Sequence, residues 1–262
     1  MPHTPSGVPE ELMEEITEAI RERTLIPFIG PGVSSQTGHK FPTWRELINE
    51  MFKIAKEKYL TKSEVKKIQS LLDAGKPLVA AEPLRYRWPK EEYREFLVTT
   101  FNPKNVKPAK IHKALFEFDR PEINPPLILT TNYDLLLEDA YAAEYGKAAT
   151  VNTYRRMAAV QKALEAGRSL DRPTIFKLHG SISEPYDIIL ADTDYRDITS
   201  MQLGYLSLLS IIFITHSVLL LGFSPSDLEL TILLDTLRDS LKYDTTPDYI
   251  FLSNKTAPDE IA

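Results

Sequence analysis

Apolar residues along the first thirty positions change their spacing once, and the change marks two elements. Leu12, Ile16, Ala19 and Ile20 recur at helical intervals behind an acidic start, which predicts a helix over 9–23. Leu25–Ile29 is then a short apolar run ending in Gly30-Pro31-Gly32, a strand that enters a tight loop. From Thr43 to about Phe118 the pattern is helical and more polar. Thr43 stands three residues before Glu46, the spacing of a capping box, at the head of a helix opening Trp44-Arg45-Glu46-Leu47-Ile48. Further helices are predicted over 64–72, 78–86, 91–101 and 110–118, several of them parted by prolines.

From Pro126 the period shortens. Strands are predicted at 127–131, 150–154, 175–178, 218–221 and 249–252, with another short apolar run at 188–190. Helices are predicted over 135–145, 203–214 and 227–241. Short apolar strands alternating with helices mean a largely parallel sheet. The expected fold class is therefore α/β: a Rossmann-like, mostly parallel sheet flanked by helices. A helical insertion of about 39–120 follows the glycine loop, packed on the sheet within a single domain spanning 1–262. The chain ends ten residues after its last predicted strand, which suggests a domain excised from something longer.

Composition narrows the chemistry. There is no cysteine, so disulfides, thiolate nucleophiles and cysteine-ligated zinc are all removed. The net charge of −6, with no basic run, argues against direct nucleic-acid or membrane-surface binding. The N-terminal stretch lacks an apolar core of signal-peptide length, and a cytoplasmic location is expected. The most apolar stretch, 203–223, is broken by Thr215, His216 and Ser217, and reads as a buried helix followed by a buried strand.

Three strand ends carry the candidate chemistry. Gly30-Pro31-Gly32-Val33-Ser34-Ser35 follows the first strand, where glycines let backbone amides approach a pyrophosphate and Ser34 and Ser35 offer hydroxyls. A nicotinamide-dehydrogenase reading fails here. The third glycine would fall at Ser35, and the acid that grips the ribose would fall near Glu50, inside a helix. Thr130-Thr131-Asn132-Tyr133-Asp134 follows the second buried run. Asn132 offers a donor and an acceptor at the strand end, and Asp134 either caps the next helix or hydrogen-bonds a sugar. Lys177-Leu178-His179-Gly180-Ser181 ends a third run, projecting an imidazole that exchanges a proton near neutral pH. Taken alone, His179 is as well explained by a structural turn as by catalysis. His3, His39, His112 and His216 read as surface or structural residues.

Together these segments resemble the sirtuin family, whose phosphate loop, Thr-Gln-Asn-x-Asp segment and Leu-His-Gly segment occur in this order. Leu220-Leu221-Gly222-Phe223-Ser224-Pro225-Ser226-Asp227 is similar to a turn of the bacterial sirtuin-like branch found in anti-phage defence proteins, and Phe41-Pro42-Thr43-Trp44 to its Pro-x-Trp. The resemblance implies NAD as substrate, with Gly30, Gly32 and Ser34 at the pyrophosphate and Ser35 beside them. It places Gly222, Ser224 and Asp227 toward the adenosine end. It implies that Asn132 positions a water at the nicotinamide ribose, with Asp134 assisting, and that His179 is the general base. Deacylating sirtuins carry a four-cysteine zinc ribbon that walls the acyl-lysine channel. This chain has no cysteine, so no metal is expected and the implied reaction is NAD hydrolysis to nicotinamide and ADP-ribose. The alternatives are a protein deacylase or ADP-ribosyltransferase, and a non-catalytic NAD or ADP-ribose binder. By the same resemblance, a homo-oligomer or a regulatory partner protein or module is expected.

Overall fold

The computed structural model describes residues 9–116, 125–166, 172–201, 203–224, 230–231, 234–235 and 249–251. Among the described residues six strands form one parallel sheet: β1 (Leu25–Ile29), β2 (Leu127–Thr130), β3 (Val151–Thr153), β4 (Thr174–Lys177), β5 (Ser217–Leu221) and β6 (Tyr249–Phe251). Their order across the sheet is β3-β4-β2-β1-β5-β6. The connection from β1 leads to β2 on one side, and β5 later pairs on the other. The crevice at the carboxyl end of β1 is therefore the switch point where open α/β sheets bind ligands. β1 pairs with β5 along its whole length but with β2 only from Phe28 onward, after Pro27, which has no N–H to offer a ladder.

Alternation along the strands divides the core. Ile26, Phe28, Leu127, Leu129 and Phe176 face one layer, with Leu209, Ile212 and Phe213 of α11 (Leu203–Thr215) and Val160 of α9 (Met157–Ala166). Ile29, Ile128 and Ile175 face the other, with Leu137, Ala140 and Tyr141 of α8 (Leu136–Tyr145) and Phe116 just beyond α7 (Lys110–Ala114). The first helix, α1 (Glu10–Arg21), covers the amino end of β1 through Ile16. The broken apolar stretch resolves as expected, into α11 followed by β5. Among the described residues no helix is long and apolar enough to cross a membrane.

Helices α2 (Pro31–Ser35), α3 (Trp44–Lys58), α4 (Lys62–Asp73), α5 (Pro77–Arg87) and α6 (Lys90–Phe101) lie between β1 and β2. The capping box at Thr43 forms as its spacing predicts: the Thr43 hydroxyl accepts from the Glu46 N–H, and the Glu46 carboxylate accepts from the Thr43 N–H at 2.8 Å. Thr61 and Glu64 repeat it at α4. These helices bury Leu47, Ile48, Met51 and Leu84 in a second core, which also takes in Tyr133, Ile182, Ile188 and Leu190 from the loops after β2 and β4. The insertion thereby roofs the carboxyl edge of the sheet.

Three readings of the sequence need correction. The tight loop expected after β1 is the one-turn helix α2, started by Pro31. The apolar run at 188–190 lies outside the sheet, buried between it and the insertion. Helices α9 and α10 (Asp192–Met201) were not expected. Most of the helix expected over 227–241 lies outside the described residues.

Candidate functional site

Gly30 donates its N–H to the Leu221 carbonyl, and Gly32 to the Gly222 carbonyl, each at 2.8 Å. The two glycine segments lock together without room for side chains. A Cβ on Gly32 would lie 2.7 Å from the Gly222 oxygen, and one on Gly30 2.7 Å from the Phe223 ring. Gly222 itself has φ +75°, and a Cβ there would lie 2.5 Å from the Val33 nitrogen. The amides of Gly30 and Gly32 are thus committed to β5, and the glycines are required by the close approach of two turns. Gly222→Ala is expected to cost at least about 2 kcal/mol, from the left-handed backbone and the displaced contact. A lowered urea midpoint at constant slope will register it.

The polar side chains of this edge form one chain of hydrogen bonds. Asn132 Nδ2 donates to the Gly30 carbonyl at 3.1 Å and to Ser34 Oγ at 2.9 Å. Ser34 Oγ in turn donates to Asp134 Oδ2 at 2.7 Å, and Asp134 Oδ1 accepts the Leu136 N–H at 3.0 Å. Asp134 thus takes an N–H at the start of α8, as the capping reading expects, and also holds Ser34. The turn is fixed to the neighbouring strand as well, since Thr130 Oγ1 donates to the Ile29 carbonyl at 2.9 Å and accepts the Asn132 N–H at 3.0 Å. All these side chains are buried.

Behind the turn stands a residue to which the sequence reading assigned no role. Lys177, 1% exposed, donates from Nζ to the Asp134 and Tyr133 carbonyls and to Glu138 Oε1 at 2.8 Å. Burial pushes the Glu138 carboxyl above its usual value despite the ammonium beside it. A lysine inside the run Ile175-Phe176-Lys177-Leu178 was the available signal, because a charge on a strand buried on both faces must find a partner. His112, 1% exposed, accepts the Ala109 N–H through Nδ1 at 3.2 Å. Burial holds its imidazole below the usual value, against an opposing pull from Asp134.

Ser34, Thr131, Asn132 and Asp134 wall one side of a cavity of about 90 Å³, and Pro31, Phe41, Trp44, Leu47 and Phe101 the other. At this volume it is smaller than the apolar cavity of about 150 Å³ that takes a benzene, so it admits part of a small ring rather than enclosing one. Three polar atoms around it are buried without a hydrogen-bond partner among the described residues: Asn132 Oδ1, Thr131 Oγ1 and Trp44 Nε1. One donor and two acceptors thus converge on a slot with apolar walls, the composition of a small-molecule site.

The remaining expected residues lie apart from the cavity. His179, 2% exposed, is one strand over: the Leu178 N–H bonds to the Thr130 carbonyl, and the His179 carbonyl accepts from Ile189, each at 2.9 Å. Its ring meets Tyr195 edge-on at 5.3 Å, and it does not wall the cavity. Gly180 is required by φ +89° and by a Cβ position 2.6 Å from the Asp187 oxygen. Ser35 is exposed and bonds back to the Pro31 carbonyl at 3.3 Å. Ser224 is half-buried, and Asp227 lies outside the described residues. Glu50 lies on α3, as expected, and not at the end of a strand.

Comparison with known proteins bears on the family of the chain. The chain is 23% identical to Defense-associated sirtuin 2 of Bacillus subtilis, over 95% of its own length and 23% of that protein's. It is 27% identical to NAD(+) hydrolase ThsA of Bacillus cereus (strain MSX-D12), over 50% of its own length and 26% of that protein's. It therefore spans about a quarter of the length of the relatives it matches. The model of the SIR2-like domain matches residues 126–262, just over half of the chain and the part that carries Asn132, Asp134 and His179. With that match and the parallel sheet in agreement, the chain belongs to the SIR2-like family.

Proposed function

We propose that this domain is an NAD glycohydrolase that splits NAD into nicotinamide and ADP-ribose. We place it, as the names of its two relatives suggest, in an NAD-depleting defence effector of the bacterial cytoplasm, acting as a homo-oligomer or under a regulatory partner. The observation that carries the reading is the small cavity at the carboxyl ends of β1 and β2, lined by Asn132, Ser34 and Asp134, which are joined by hydrogen bonds. A nicotinamide ring suits the apolar walls. Its carboxamide offers a carbonyl to the Trp44 N–H and an amine to Thr131 Oγ1, the groups left without partners.

Cleavage of the nicotinamide–ribose bond releases a neutral leaving group from a cationic ground state, so no acid is needed. What the site supplies is position and charge. Asn132 Oδ1 accepts a hydrogen bond from the attacking water, and the buried Asp134 carboxylate lies where cationic character develops on the ribose. The water's oxygen bonds to the anomeric carbon as the nitrogen departs, and its proton passes to a base. We assign that base to His179, which follows β4 beside the β2 end that carries Asn132. His179→Ala is expected to slow hydrolysis by about 10²–10⁴-fold, the usual share of a general base.

Incubating the protein with NAD and following free nicotinamide and ADP-ribose, with and without an acetylated peptide, tests the reading. Hydrolysis without peptide supports it, whereas strict dependence on the peptide would establish a deacylase instead. One observation favours a second reading, a binder of NAD or ADP-ribose without catalysis: His179 does not wall the cavity. Saturable NAD binding with no nicotinamide released would decide for that reading.

A further inference from the structure

A second cleft, of about 620 Å³, opens between the insertion and the segment after β4, outside the candidate active site. Its walls hold two polar groups with nothing to bond. Trp88 is 6% exposed and Tyr93 4% exposed, and both Trp88 Nε1 and Tyr93 Oη are buried without a hydrogen-bond partner among the described residues. Native interiors rarely leave such donors unsatisfied, and two in one cleft call for a ligand with acceptor atoms. Two aromatic rings are offered to solvent at the same place, Tyr86 at 74% exposure and Tyr186 at 41%. Such faces hold planar bases by stacking, independently of base identity.

The charges along the cleft sort by whether they are taken. Arg85 is paired with Asp194 and Arg155 with Asp187, so those four hold the walls together. Lys90 and Asp197 have no ion-pair partner among the described residues, which leaves one ammonium and one carboxylate for a ligand. A carboxylate accepts from a sugar diol, and an ammonium binds phosphate as a point charge. We propose that this cleft binds a nucleoside 5′-phosphate. Its base lies against Tyr86 and Tyr186, its acceptors take the Trp88 and Tyr93 donors, its ribose hydroxyls meet Asp197 and its phosphate meets Lys90. The proposal is independent of the activity assigned above.

The chain has two tryptophans, so the full chain carrying Trp44→Phe reports on Trp88 alone. Titrating it with adenosine 5′-monophosphate and with adenosine is expected to shift its emission saturably. Tyr93→Phe, which removes only an unbonded hydroxyl, should weaken both ligands by about tenfold, the worth of one hydrogen bond. Lys90→Glu should weaken the monophosphate by at least about tenfold and leave adenosine unchanged. Asn132→Ala should leave both titrations unchanged. The proposal is overturned if no saturable shift occurs up to about 10 mM, the weakest binding worth calling a site. It is equally overturned if Asn132→Ala abolishes the shift while Tyr93→Phe does not, because the nucleotide then sits at the candidate active site.

Discussion

Asn132→Ala is expected to lower NAD hydrolysis by at least about 10²-fold, the loss typical when one preorganised hydrogen-bonding group is removed from a reacting centre. Asn132 does two things that alanine cannot. Nδ2 ties Gly30 to Ser34, and Oδ1 is the buried acceptor left open at the cavity. The structural part of the loss is limited, because Ser34 still donates to Asp134 and the turn keeps its Thr130 anchor. The Gly30 carbonyl loses one donor but still accepts the Val33 N–H at 3.1 Å, a cost of about 0.5–1.5 kcal/mol against the about 5–15 kcal/mol that holds a domain together. Initial rates of nicotinamide release beside a thermal melt separate the two effects. Asn132→Asp retains an acceptor oxygen and should keep more activity than alanine. An alanine variant as active as the parent, with an intact melt, would remove Asn132 from the mechanism.

Lys177→Met is expected to be the most destabilising single change, by about 3–5 kcal/mol at neutral pH, the cost of breaking a buried pair from one side. The ammonium bridges the Tyr133 and Asp134 carbonyls to Glu138, so its loss strands a largely buried carboxylate and loosens the turn that carries the site. Lys177→Met with Glu138→Gln should recover much of the loss, since no charge then remains to be buried without a partner. The pH dependence has a definite sign. The Glu138 carboxyl already lies above its ordinary value in the folded protein, and losing Lys177 raises it further. A group raised on folding stabilises below its unfolded value, and that contribution is lost as pH rises through the folded one. The deficit of the single variant should therefore shrink as pH falls toward the carboxylate range and grow toward neutrality. Urea unfolding across pH measures it, and a deficit independent of pH would show that the stranded carboxylate is not its cause.

Strands and most helices were legible in the chain because each is written by a local period. β1, β2 and β5 fall on mostly apolar runs and β4 on one interrupted by Lys177, and Thr43 caps α3 where the capping box predicts. Helices α9 and α10 were not legible for a matching reason. In α9 only Val160 and Ala163 are buried, too little for a clear apolar stripe. The start of α10 is fixed from a distance: Asp194 accepts the Leu190 and Ala191 N–H groups while Arg85 of α5 holds its other oxygen.

The candidate site divides along the same line. That glycine, asparagine and histidine segments end parallel strands follows from runs of a few residues, and so does the crevice they share. Whether those side chains meet depends on contacts between residues far apart in the chain. Ser34 reaches Asp134 across a separation of 100 residues, and Lys177 reaches Glu138 across 39. The glycine amides go to β5 rather than remaining open, because Gly222 lies close enough to take them. Local sequence sets backbone period and turn chemistry through steric preference. Partnership among buried polar groups is settled only when packing removes water and each donor must bond whatever the fold has brought within reach.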